Sequence, residues 1–153
     1  MTRPRPQNLL TRWLRDCRGV AAVEFACAAP LFALTLVGMT ELGLAVRTRL
    51  AAEEAAAAGA QAALKGFDAA KITSAVQSAN PNRTVLAAPA PSQFYACPAV
   101  SGLTRVAQST ACSDGKAARQ FVDVYATISR PTVFGAQFDL PATLTAHATA
   151  RAP

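Results

Sequence analysis

The residue that most needs a chemical explanation is Glu24. It lies inside the longest apolar run of the 153-residue chain, five positions after Gly19, which closes a basic segment. A charge at the centre of a bilayer costs about 2.5–3.5 kcal/mol on insertion scales, and less near an end where the side chain reaches the headgroups. An ionisable group in such a run therefore points to a partner. The plain alternative is an interfacial or protonated carboxyl. The spacing supplies a partner. A cut between Gly19 and Val20 would give Val20 an α-ammonium group, and Glu24 would become the fifth residue, one helical turn on. A carboxylate there meets the ammonium group of a neighbouring copy slid along the helix axis. That pairing removes two charges otherwise stranded in lipid.

The other reactive side chains divide by compartment. Cys17 lies in the basic segment and Cys27 in the apolar run, whereas Cys97 and Cys112 flank PAVSGLTRVAQSTA, which reads as a loop. If the chain crosses a membrane after residue 19, only Cys97 and Cys112 share an oxidising space, and they are the expected disulfide. Closing a loop of that length contributes roughly 3 kcal/mol on the chain-entropy model. Zinc is disfavoured, because no CxxC or neighbouring histidine completes a ligand set. His147, the only histidine, falls on the polar face of a strand, and no motif supplies an acid and a nucleophile beside it. It reads as an exposed structural residue. There is no HExxH, GxSxG or phosphate-cradling glycine loop. The chain reads as a non-enzyme with no cofactor and no metal.

The elements that position these residues follow from charge and hydropathy. Arg3, Arg5, Arg12, Arg15 and Arg18 stand against one acid, Asp16, so most of the net charge of +6 is N-terminal. The basic groups stop where the apolar run begins, which favours a membrane surface over nucleic acid as their partner. Val20 to Val46 carries no lysine or arginine and is long enough to cross a bilayer core of roughly 30 Å. The arginine asymmetry puts residues 1–19 in the cytoplasm and the C-terminal part outside, with Trp13 as an interfacial anchor. A cleaved secretory signal, with Gly43 and Ala45 before the cut, is the lesser alternative, since the run is long and holds two carboxylates. Neither Cys17 nor Cys27 has a lipoprotein signal before it.

Beyond the run, alanine, glutamate and leucine continue a helix to about Lys65, with Leu50, Ala57, Ala60 and Leu64 on one face and Gly66 as a stop. Asp68 is placed to cap a second helix, with Phe67 and Ile72 as a hydrophobic staple, and Asn80-Pro81 ends it. Candidate strands are 84–88, 92–97, 120–129 and 142–151. In the third, Val122, Val124, Ala126 and Ile128 alternate with Phe121, Asp123, Tyr125 and Thr127, so one face is buried. The loop VFGAQFDLP brings Val133, Phe134, Phe138 and Leu140 to close the core. The expected fold is α+β: a long N-terminal membrane-spanning helix, then a short helix and a small antiparallel sheet. Its expected parts are a leader (1–19), a membrane helix (20–46), a helical extension (47–66) and an external domain (67–153).

The stretch from Arg18 and Gly19 through Glu24-Phe25, Pro30, Glu41 and Gly43 resembles the opening of TadE-like proteins, the pilin-like components of Tad systems that build Flp pili. Its first part also resembles a type IV prepilin processing site. The resemblance implies cleavage between Gly19 and Val20 by a prepilin peptidase, with Glu24 and Phe25 as the processing and assembly motif and Pro30 as a helix kink. It implies a minor pilin or pseudopilin of the bacterial inner membrane. Its partners would be other pilin-like subunits and a pilus assembly platform. The C-terminal domain would then be periplasmic, or extracellular in a pilus. The competing class is an uncut, single-pass, membrane-anchored binding module.

Overall fold

A computed structural model describes residues 19–100, 102–133 and 141–153. The basic leader with Trp13 and Cys17, and the loop residues Phe134, Phe138 and Leu140, lie outside the described residues. Helix α1 runs Val20–Ala63 and contains Pro30; helix α2 runs Ala69–Ser78. The strands are β1 (Val85–Leu86), β2 (Ser92–Ala99), β3 (Gly102–Val106), β4 (Arg119–Ser129) and β5 (Thr143–Arg151). The expected α+β class is what is found. Contacts divide the chain into two compact units, Met1–Thr40 and Glu41–Pro153.

In the first unit, Val20 to Thr40 would extend about 32 Å at 1.5 Å per residue, matching a bilayer core. Apart from Glu24, Thr35 and Thr40, the side chains are apolar all round: Val23, Phe25, Leu31, Phe32, Leu34, Leu36 and Met39 are all exposed. The helix is long and apolar enough to cross a membrane. Its hydroxyls are satisfied internally, as a lipid environment demands. Thr35 Oγ1 donates to the Phe32 carbonyl and Thr40 Oγ1 to the Leu36 carbonyl, each at 2.8 Å.

In the second unit, β4 is the spine of an antiparallel sheet. β5 pairs along one side of it, from Phe121↔Arg151 to Ser129↔Thr143. On the other side β2 pairs with its first half (Ser92↔Asp123) and β1 with its end (Val85↔Ile128). β3 extends the sheet beyond β2. The predicted strand 92–97 continues to Ala99, and the segment read as a loop between the cysteines holds β3. The correction has a local cause. Leu103, Thr104 and Val106 favour extended backbone, and Gly102 pairs back on Ala99 so that the two strands run antiparallel.

The alternation read in β4 places Val122, Val124, Ala126 and Ile128 in the core, beside Ala146 and Ala150 of β5, Val85, and Ile72 and Val76 of α2. The face that Leu50 and Leu64 share is not the one that packs on the sheet. Leu50 and Leu64 are each 55% exposed, while Ala52, Ala55, Ala56 and Ala63 are buried. The reason is space. A Cβ on Gly59 would lie 2.5 Å from Val76 Cγ2 and 2.6 Å from Val124 Cγ1. Only small side chains fit where α1 lies this close to α2 and β4, so the leucines turn outward.

Gly66, at φ +123°, ends the helical segment in a backbone region that L side chains avoid. Asp68 then caps α2 as expected, accepting from the N–H groups of Ala70 (3.1 Å) and Lys71 (3.2 Å). The Lys71 backbone N–H, with the Lys71 ammonium beside it, holds the Asp68 carboxyl below the ordinary carboxylate range. A depressed carboxyl contributes stability that is present above its unfolded pKa and is lost as pH falls through its folded one. Asp68→Ala should therefore lower the thermal midpoint near pH 7. The gap to wild type should close as pH falls below the folded-state pKa, where the carboxyl is protonated in both states. A gap that persists unchanged in acid would show that the cap acts by something other than its charge.

Candidate functional site

Gly19 precedes the first residue of α1, and a Cβ there would meet nothing within 4 Å. Val20 opens the helix, and Glu24 stands one turn further on. Glu24 is exposed and makes no hydrogen bond or ion pair with any described residue, and Phe25 beside it is 70% exposed. Pro30 lies within the continuous helix. These sequence-predicted residues therefore share one open stretch of helix, with no pocket or second element built around them among the described residues. Cys27 is a free, exposed thiol on the same stretch. Cys97 and Cys112 are brought together in the second unit as a disulfide, with Cα atoms 5.4 Å apart. The bridge ties β2 to the segment that follows β3.

Two carboxylate clusters in the second unit were not foreseen as clusters. Glu41 is 2% exposed. Its Oε2 accepts from Arg130 Nη1 at 2.8 Å and its Oε1 from the Val133 N–H at 2.7 Å. Arg130, equally buried, also donates from Nε to the Pro141 carbonyl at 3.2 Å. The charge that interrupts the apolar run is thus partnered by the end of β4. Nearby, Arg83 Nη1 donates to Thr48 Oγ1 (2.9 Å) and Asn80 Nδ2 to the Ala51 carbonyl (3.2 Å). These contacts fasten α1 from Glu41 onward to the chain around the sheet.

The second cluster centres on Asp123, which is 1% exposed although it lies on the face of β4 read as polar. Arg105 binds one carboxylate oxygen. His147 Nε2 (2.9 Å) and Thr149 Oγ1 (2.8 Å) meet the other. The Tyr125 ring stacks on His147 at 4.7 Å, and Arg105 sits 4.1 Å over Phe94. The acid that sequence reasoning did not find beside His147 is therefore present, delivered by the Asp123↔Thr149 register. A hydroxyl–imidazole–carboxylate relay would still need the two imidazole nitrogens to face different partners. Here Thr149 approaches the same Nε2 that meets Asp123, at 3.2 Å. The cluster crosslinks β3, β4 and β5 and is not arranged to activate a nucleophile. No group of three metal-binding side chains occurs among the described residues.

Residues 19–61 match the family model of TadE-like proteins. The match falls on the stretch that carries the resemblance, from Gly19 through Glu24, Phe25, Pro30, Glu41 and Gly43, and it supports a Tad-pilus-associated protein. No curated protein and no solved structure matches the chain.

Proposed function

We propose, from the match of residues 19–61 to TadE-like proteins, that this chain is a minor pilin or pseudopilin of Tad (Flp) pilus assembly at the bacterial inner membrane. A prepilin peptidase cuts it between Gly19 and Val20. The apolar stretch from Val20 then anchors it as a single-pass protein, with the leader side cytoplasmic and the sheet domain periplasmic. The arginine asymmetry supports that orientation. So does the Cys97–Cys112 bridge, which belongs in an oxidising compartment. Its partners are other pilin-like subunits and the assembly platform.

Glu24 carries the reading: an exposed carboxylate with no described partner, one turn from Val20, inside the matched segment. The cut reads the bond, whereas docking reads the charge, so the two separate by mutation. Wild-type protein from the membrane should begin at Val20. Gly19→Val should keep the leader, because a branched side chain crowds the scissile bond. Glu24→Ala should still yield chains beginning at Val20 yet fail to co-purify with pilin subunits. N-terminal sequencing of the three proteins, with pilus recovery scored beside it, is the test. A wild-type chain beginning at Met1 would instead identify an uncut, anchored binding module. One beginning at Val46 would identify a secreted domain.

A further inference from the structure

A cleft of about 330 Å³ opens where α1 meets the connection between α2 and β1. Its polar lining is Arg47, Glu54, Asn80, Asn82 and Arg83, and Leu50 forms an apolar edge. Arg83 is held in place by its bond to Thr48, which uses one of its five N–H groups and leaves the rest of the guanidinium for a ligand. Asn80 is pinned through its amide to the Ala51 carbonyl. Arg47 and the Asn82 carboxamide are exposed and bond to no other described side chain. The single acid of the lining, Glu54, lies seven residues from Arg47 on the same helix, about 10 Å along its axis, and forms no ion pair with a described residue. The neighbouring pair Arg49–Glu53 is closed on itself at 2.7 Å. Two guanidinium groups and a carboxamide therefore line the cleft against one carboxylate.

Planar guanidinium groups bind phosphate oxygens in paired hydrogen bonds. Arg47 is also the first basic residue after the apolar run. Basic residues directly after a membrane segment lie at headgroup level. Val46 and Leu50, each more than half exposed, flank it with apolar surface suited to an acyl chain rather than to a free anion. We infer that this cleft binds the phosphate of an anionic phospholipid headgroup. The inference rests on the membrane-anchored reading above.

The test uses full-length protein in nanodiscs holding equal phosphatidylglycerol and phosphatidylcholine, with retained lipid counted by native mass spectrometry after release. Phosphatidylglycerol should be retained preferentially. Arg47→Ala should cut that retention about fivefold, the worth of one arginine at a charged surface. Arg49→Ala, outside the cleft and already paired, should leave it unchanged. Equal retention of the two lipids, or equal losses in both variants, would overturn the site in favour of diffuse attraction. Arg47-dependent displacement by excess inorganic phosphate, without lipid retention, would overturn the lipid in favour of the free anion. Flotation of wild-type protein with vesicles is scored separately. A chain that fails to float overturns the anchored reading and this inference together, whereas loss of lipid selectivity alone overturns only the inference.

Discussion

Glu41→Ala is expected to destabilise the Glu41–Pro153 unit by about 3–5 kcal/mol, the range for removing one partner of a buried ion pair. The substitution leaves the Arg130 guanidinium in a site where its side chain is 2% exposed, with the Pro141 carbonyl its one remaining acceptor among the described residues. It also removes the acceptor of the Val133 N–H. Urea unfolding of the full chain in detergent, followed by circular dichroism, measures the loss. Glu41→Gln should fall between, because an amide oxygen still accepts but the charge is gone. The double variant Glu41→Ala/Arg130→Met should recover much of the loss, since a buried pair replaced by apolar groups is close to neutral. A single-variant loss under about 1 kcal/mol would mean the pair behaves as a surface bridge. The clasp would then not be what holds α1 at this point.

Gly59→Ala should destabilise although the same change in an open helix stabilises by about 1 kcal/mol. The new methyl would sit 2.5 Å and 2.6 Å from the branched carbons of Val76 and Val124, neither of which can swing away as a flexible side-chain end would. Overpacking of this kind costs about 1–3 kcal/mol, enough to offset the gain in helix propensity and reverse its sign. Gly59→Val should be worse. Gly43→Ala is the control, because nothing lies within 4 Å of its added carbon; it should be neutral or stabilising. Unfolding midpoints of the three proteins under one condition decide the matter. A stabilised Gly59→Ala would show that α1 stands further from β4 than these contacts require.

What could be read from the sequence was local. The Asp68 cap depends on groups two and three residues away, and the β4 alternation depends on a period of two, so both were visible. The membrane-length run was visible for the same reason. Glu41 was read as an interruption of that run and as part of the family pattern, but not as half of an ion pair, because its partner Arg130 lies 89 residues away and hydropathy averages only neighbours. Asp123 was assigned to solvent by its strand parity, which carries no information about what a neighbouring strand places over it. Arg105 arrives on β3, a strand hidden among turn-forming residues. Which face of the helix is buried was not legible, because apolar ranking favours leucine, whereas packing selects shape. Of the candidate site, Gly19, Glu24 and Phe25 were legible as a pattern, and the disulfide as a matter of compartment. The two polar clusters required register, which sequence periodicity does not supply.

The alanine stripe of α1 has a mechanical consequence. A face made of methyl groups and one glycine is smooth, and it has almost no rotamers to interlock with the valines of the sheet. Advancing such a face by one turn, about 5.4 Å, exchanges methyl for methyl except at Gly59, where the incoming methyl would meet Val76 and Val124. Methyl burial fixes how near the helix lies to the sheet, and Gly59 is the apolar position that also marks how far along it lies. That coordinate is held as well by Glu41 on Arg130, Thr48 on Arg83 and the Ala51 carbonyl on Asn80. All three fall in the first turns of the helix within this unit. They act as detents on a slide, and Gly59 is the notch: together they leave the helix one axial position.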